Sequence, residues 1–342
     1  MRLETTILAH DISGYAQQAA RLEEIGYDVV VTPEAGHDPF LPLMTVAEHT
    51  QRMKFGTAVA IAFPRSPMVT AQLAWDLQRF SGGRFILGLG TQVKGHNERR
   101  YSTAWPSPPG PRLRDYILVM KAIFQTFQTN ARPAYQGTNY QFTLISPFFN
   151  PGPNPPKADH VPVYISAVNR FNCRLVGEVC DGIRMHGFNT VKYTKEVIIP
   201  AIEAGCKKAG RKLSDIDIVG GSFIITGASE EEVERAKAPV RQQLSFYAST
   251  RAYHPVLEVH GWQETGEKLF RLSMEGKWQD MANGITDEML EEFAIIGTYD
   301  QLLPKIKERY GGLVTTLDFG FGVRSPEDHE RLAFIVQELK KS

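Results

Sequence analysis

Short apolar runs alternate with longer stretches whose apolar residues recur every three or four positions, and this alternation holds almost from end to end. The runs are residues 3–8, 27–32, 55–61, 85–89, 161–168, 182–186, 216–226 and 313–319. YDVVVT at 27–32 and FILGL at 85–89 are apolar on both parities, as strands of a parallel sheet covered on both faces must be. Residues 15–25, 39–52, 67–80, 111–127, 169–179, 190–209, 229–246, 298–310 and 325–340 read as helices. Residues 54–91 show the unit most clearly. After the strand, Ser66-Pro67 supplies a capping hydroxyl and a first-turn proline, Met68, Leu73, Leu77 and Phe80 make an apolar stripe, and Ser81-Gly82-Gly83 stops the helix before the next strand. Strand, helix and parallel strand form one βαβ unit.

Eight strands alternating with helices fit a closed (β/α)8 barrel better than an open sheet. Two stretches break the rhythm. Residues 132–156 are rich in proline, glycine, asparagine and aromatics, with YQGTNYQFT as a hairpin arm; residues 247–293 are less periodic and read as short inserted helices. Residues 92–110 read as a long polar loop. The expected organisation is one domain over residues 1–342 with insertions around 132–156 and 247–293.

Composition narrows the function classes. The 342 residues are 42% hydrophobic and 22% charged, ordinary globular values. Lys plus Arg equals Asp plus Glu, 38 each, and no basic stripe is interleaved with aromatics, so nucleic acid is not an expected partner. No apolar run reaches a membrane span, and residues 1–30 lack a basic-then-apolar leader, so a cytoplasmic protein with no membrane partner is expected. Cys173, Cys180 and Cys206 are odd in number and lack CxxC spacing, which points to plain thiols rather than a disulfide or a metal site. Gly88-Leu89-Gly90 lacks the third glycine of a dinucleotide fingerprint, and there is neither a phosphate-loop GxxxxGK[ST] nor an HExxH. Metal, serine-hydrolase and nucleoside-triphosphate chemistry have no signal.

In a barrel of this kind chemistry sits at the C-terminal ends of the strands. The small and polar residues there are the candidates: Glu34 and His37 after strand two, Ala58, Val59 and Ala60 in strand three, Thr91, Gln92 and His96 after strand four, Ser166, Ala167, Val168 and Asn169 at the end of strand five, and His186 at the end of strand six. A carboxylate or imidazole at 34 or 37 could hold a substrate or shuttle a proton; the alternative is a solvated loop. Asn169 reads equally as a simple helix N-cap, and His186 equally as a packed core histidine. Arg112 and Asp115, at the start of the fourth helix, read as a structural salt bridge.

GTAVAIAFPRSPMVTAQLAWDLQRFSGGRFILGLGTQ, VPVYISAVNRFNCRLVGEVCDGI and GTYDQLLPKIKERYGG together resemble the bacterial luciferase-like family of flavin- and deazaflavin-dependent oxidoreductases, along nearly the whole chain. GTQVKGHNERRYSTAW followed by RLRDYI is most similar to members that use coenzyme F420, a deazaflavin hydride carrier. The resemblance implies hydride transfer between F420 and a small organic substrate, with FMN-dependent two-component monooxygenation as the alternative, a non-catalytic flavin-binding barrel as a further one, and a homodimer. It implies a cis peptide between Ala58 and Val59 behind the cofactor ring, cofactor contacts from Ala60, Thr91, Gln92 and His186, and the cofactor phosphate at the helix start formed by Ser166, Ala167, Val168 and Asn169. Relatives often carry glycines at that helix start and an Asp-His pair where this chain has TPEAGHD. The catalytic assignments implied for Glu34, His37 and His96 therefore rest on position rather than on matching residue types.

Overall fold

The structure is a computed structural model that describes residues 1–8, 11–106, 108–323 and 325–341. Eight parallel strands close into a barrel: β1 (Arg2–Thr6), β2 (Val29–Thr32), β3 (Lys54–Thr57, continued after a break by Ala60–Ile61), β4 (Phe85–Gly90), β5 (Val163–Ala167), β6 (Gly182–Met185), β7 (Asp217–Gly220) and β8 (Thr316–Asp318). Each strand pairs with the next in sequence, and β8 closes on β1 through Arg2↔Thr316, Leu3↔Leu317 and Glu4↔Asp318. This is the (β/α)8 architecture expected from the alternating pattern.

Side-chain parity divides the interior in two. One parity faces the helices: Leu3, Phe55, Phe85, Ile165, Ile183 and Leu317 belong to the main core between sheet and helices. The other parity faces the lumen, where Val29, Val31, Ile86, Tyr164 and Val219 form a separate small cluster against Ala58. The helix Pro67–Phe80 starts as the sequence indicates, with the Ser66 hydroxyl accepting from the Val69 N–H and proline in the first turn. No described helix is long and apolar enough to cross a membrane. The three cysteines are buried free thiols, and burial pushes those of Cys173 and Cys180 up to about 12.

Four expectations need correction. Residues 216–226 are not one strand: β7 ends at Gly220, and Phe223–Gly227 leaves the barrel to pair in parallel with Ala294–Thr298 in a two-stranded outer sheet. A side chain at Gly221 would run into the backbone of Asp318, so a glycine stands where the chain turns away. Ala294–Thr298 had no reading as a strand; five residues after a helical insertion give too short a run to stand out. The loop 92–110 contains a helix, Lys94–Arg99. Arg112 and Asp115 are structural but do not pair. Arg112 donates to the Tyr140 hydroxyl (2.8 Å), while Asp115 accepts from the Tyr135 hydroxyl and from the N–H groups of Asn139 and Tyr140, fastening the hairpin Tyr135–Gln136/Gln141–Phe142 to the barrel. Helix 190–209 is present but widens to a π-turn at Thr194–Ile198, just before Pro200, which has no N–H to give to the preceding turn.

Candidate active site at the barrel mouth

The lumen is polar at its floor and in its middle layer. At the N-terminal end the Tyr164 hydroxyl donates to Asp217 (2.7 Å), which also pairs with Arg2 (2.6 Å) and accepts from the Thr316 hydroxyl (2.9 Å). One layer up, Arg184 of β6 is paired with Glu4 of β1, both side chains almost wholly buried, and its guanidinium lies 5.5 Å from the centre of the Tyr164 ring. Gly88 makes this possible, since a Cβ there would stand 2.9 Å from the Arg184 Nε. The Nε and Nη2 of Arg184 have no hydrogen-bond partner among the described residues. Burial pushes the Glu4 carboxyl up in spite of Arg184.

Asp318 is the next residue towards the mouth. It is in register with Glu4 on the neighbouring strand and shares its inward parity. Its side chain is exposed at the C-terminal end of β8, among densely packed neighbours. Loss of solvation, then the nearby Glu4, push it up to about 7, with Arg184 pulling the other way.

At the rim, β3 is broken by a cis peptide between Ala58 and Val59, as the family resemblance implies. Ala58 and Val59 are half-buried and Ala60 is buried. A Cβ at Gly90 would stand 2.6 Å from Val59 Cγ2 and 3.0 Å from Ser166 Oγ, so β3, β4 and β5 meet here around a position that must lack a side chain. This cradle carries no charge. Asn169, just past β5, caps the helix Arg170–Val179 by accepting from the Asn172 N–H (2.9 Å). The amides of Arg170 and Phe171 are the donors that any helix start leaves unpaired within the helix. A cleft of about 730 Å³ opens beside them, lined by Pro109, Asn169, Arg170, Phe171, Tyr193 and Val259 among others. Ala167 is buried and Val168 half-buried under this turn.

The proposed acid–base residues are not brought together. Glu34 is neither solvated nor free: one carboxylate oxygen accepts from the Ile61 N–H (2.7 Å) and from Arg65 (2.6 Å), and the other from the Tyr101 hydroxyl (3.0 Å). Burial works against the charge on Arg65, but the hydrogen bond and charge of Glu34, and then Asp38 (2.9 Å), outweigh it and raise its pKa. Burial and then Glu34 raise that of Tyr101. The network ties the loops after β2, β3 and β4 to one another. His37 is exposed on its loop, and His96 is exposed on the helix Lys94–Arg99. Thr91 is half-buried, its carbonyl accepting from the Asn97 side chain (2.9 Å), and Gln92 takes a left-handed backbone (φ 56°). His186 lies 4.6 Å from Tyr247 and 4.7 Å from Tyr253, centre to centre, and its Nδ1 accepts from the Phe188 N–H (2.9 Å). Burial lowers its pKa to about 4, so at neutral pH the ring is uncharged with its proton on Nε2.

Glu4, Arg184 and Asp318 were not among the sequence candidates. Their signal was present, since LETT, GIRM and TLDF each set a charged residue inside an otherwise apolar or uncharged barrel strand. Only the register shows that all three face the lumen.

The sequence profile of the luciferase-like monooxygenase family matches residues 3–316. An uncharacterized protein of Mycobacterium tuberculosis is 39% identical over 307 residues, spanning 90% of this chain and 89% of its own. The coenzyme F420-dependent tetrahydromethanopterin reductase of Methanopyrus kandleri superposes with a TM-score of 0.79 at 21% identity, covering 98% of this chain and 97% of its own. The oxygenating constituent of a diketocamphane monooxygenase of Pseudomonas putida, solved with FMN, superposes with a TM-score of 0.65 at 16% identity, covering 100% of this chain and 99% of its own. A profile match over nearly the whole barrel, on a mouth built from the strand ends that the resemblance singled out, places this chain among the enzymes of the luciferase-like monooxygenase family.

Proposed function

We propose that the enzyme is an F420-dependent oxidoreductase that moves a hydride between the deazaflavin and a small organic substrate at the barrel mouth. The observation that carries this reading is the uncharged cradle in which Val59, Gly90 and Ser166 converge. Small residues at 58 and 60 and the bare backbone at 90 let a flat ring approach the strand ends, so shape rather than charge decides its binding. The helix start at Asn169–Arg170 offers unpaired amides to a phosphate, and Thr91, Gln92 and His186 stand on neighbouring strand ends. When bound, a reduced deazaflavin supplies the hydride; the chain supplies position, exclusion of water and the proton. The resemblance of GTQVKGHNERRYSTAW to F420-using members and the superposition on an F420-dependent reductase support the deazaflavin.

Titration of the purified protein with F420 and with FMN, followed by cofactor fluorescence, tests the reading. Saturable F420 binding that Ala58→Trp abolishes is the expected result. Selective FMN binding, with oxygen consumed once the flavin is reduced, would favour the second reading, which the FMN-bound neighbour supports. Val168→Asp, which sets a carboxylate beside the helix start, should weaken F420 binding while leaving thermal unfolding unchanged.

The functional unit in this reading is a homodimer. The outer faces of the helices Leu41–His49 and Pro67–Phe80 expose Leu41, Met44, Val69, Leu73 and Phe80, an apolar surface that a second copy would cover. Sedimentation should show a dimer that Phe80→Glu dissociates.

A further inference from the structure

We propose that Asp318 is the catalytic acid of this site: it gives its proton to the heteroatom of a substrate C=O or C=N bond as hydride reaches the carbon. The inference rests on the hydride-transfer reading above and adds to it the group that balances the charge. Hydride addition breaks the π bond and leaves an electron pair on oxygen or nitrogen; a proton must arrive there, and the product is an alcohol or an amine. The same carboxylate takes the proton back in the reverse direction.

Geometry selects Asp318 from the carboxyl groups at this end of the barrel. Glu34 is occupied by three donors, and Asp38 by Arg65 and by the N–H of Phe40 (2.8 Å). Glu4 is buried against Arg184. Asp318 has no side-chain hydrogen bond among the described residues, is inward by parity on the last residue of β8, and has an exposed side chain. Its surroundings are made to keep a proton. Glu4 on β1 repels a second negative charge, and Arg184 on β6, already paired with Glu4, compensates only one of the two carboxylates. Tyr27, ahead of β2, and Tyr310, at the end of the helix Tyr299–Tyr310, sense the charge of Asp318 as neutral phenols. Just past β7, Gly221 lies bare against the Asp318 backbone, while Asp217 and Arg2 act a layer lower, on Glu4. The resulting carboxyl, half-protonated near neutral pH, suits a general acid that must be refilled from solvent.

The first arm of the test needs no cofactor. In protein labelled with carbon-13 at the aspartate carboxyls, NMR titration should show one aspartate titrating near pH 7, absent from Asp318→Asn. The second arm uses chemically reduced F420 with cyclohexanone and 1-pyrroline as C=O and C=N probes. Asp318→Asn should bind F420 within twofold of wild type but reoxidise it about 10²–10⁴-fold more slowly, losing the wild-type pH dependence near 7; Asp318→Glu should recover part of the rate. Wild-type protein with no aspartate titrating between about pH 6 and 8, or an Asp318→Asn enzyme with wild-type rate and pH profile, overturns the proposal. F420 binding without reoxidation by either probe overturns the substrate class. Failure of wild-type protein to bind F420 while the titration stands overturns the deazaflavin reading instead.

Discussion

Glu34 and Asp318 are carboxyl groups at the same end of one barrel, one just beyond β2 and the other on the last residue of β8, and their surroundings are opposite. Three donors from β3, the loop after it and the loop after β4 converge on Glu34: a backbone N–H, a guanidinium and a phenol. Asp318 receives none among the described residues and faces Glu4 instead. A carboxylate with its lone pairs filled is a joint between loops; a carboxyl left unpaired beside another has its proton as the variable. Both residues stand at strand ends, and only their partners separate the two roles.

The comparison breaks most readily at Glu34. Glu34→Ala removes the acceptor of three donors and leaves Arg65, largely buried, with only Asp38 and the Ile61 carbonyl. The expected loss is about 3 kcal/mol of unfolding free energy, read from urea denaturation, together with loss of F420 binding as Ala60–Ile61 comes adrift. A change below about 0.5 kcal/mol would mean that the network does not hold the rim. Tyr101→Phe removes one donor and leaves the other two, so about 1 kcal/mol is expected, with F420 affinity retained. If Tyr101→Phe instead abolished turnover without moving stability, the phenol rather than the joint would matter, and Glu34 would return to the chemistry.

Much of this was legible in the sequence, for identifiable reasons. Buried parallel strands are apolar on both parities, so YDVVVT and FILGL declared themselves, and with their caps and glycine stops they gave the barrel order. The close approach of β3, β4 and β5 at Gly90 was legible too, since GTAVA and GLGT are short on side chains. The outer strand pair was not. Phe223–Gly227 follows β7 after two residues and continues its apolar run, and its partner Ala294–Thr298 lies some seventy residues on, so nothing local marks the exit from the barrel. His186 illustrates the limit for single residues: either a ligand or a core residue can stand at a strand end, and only the packing of Tyr247, Tyr253 and Phe188 around it shows a neutral ring. The lumen charges failed for a third reason. Glu4, Arg184 and Asp318 are about 130 to 310 positions apart and become one cluster only through closure of β8 on β1.

A pH-dependent effect is the sharpest test of the Asp318 side of the comparison, because it has the opposite sign to the Glu34 result. A carboxyl whose pKa is raised by folding is held protonated more firmly in the native than in the unfolded chain. Below the ordinary aspartate value of 3.8 both states carry the proton, and the group costs nothing. Between there and about 7 the unfolded chain ionises while the native one resists, so stability falls as pH rises; above about 7 both are ionised and the loss is constant. Asp318→Asn cannot ionise and should escape this loss. Because water reaches the carboxyl through the mouth, screening reduces the gain to on the order of 1 kcal/mol. The variant should therefore match wild type near pH 4 and exceed it by about that amount at pH 8, in parallel denaturation series at the two pH values. An enzyme made more stable by removing a carboxylate at its mouth is what a site kept for chemistry would show. Equal stability of the two proteins at both pH values would make Asp318 an ordinary solvated surface group and erase its difference from any exposed aspartate.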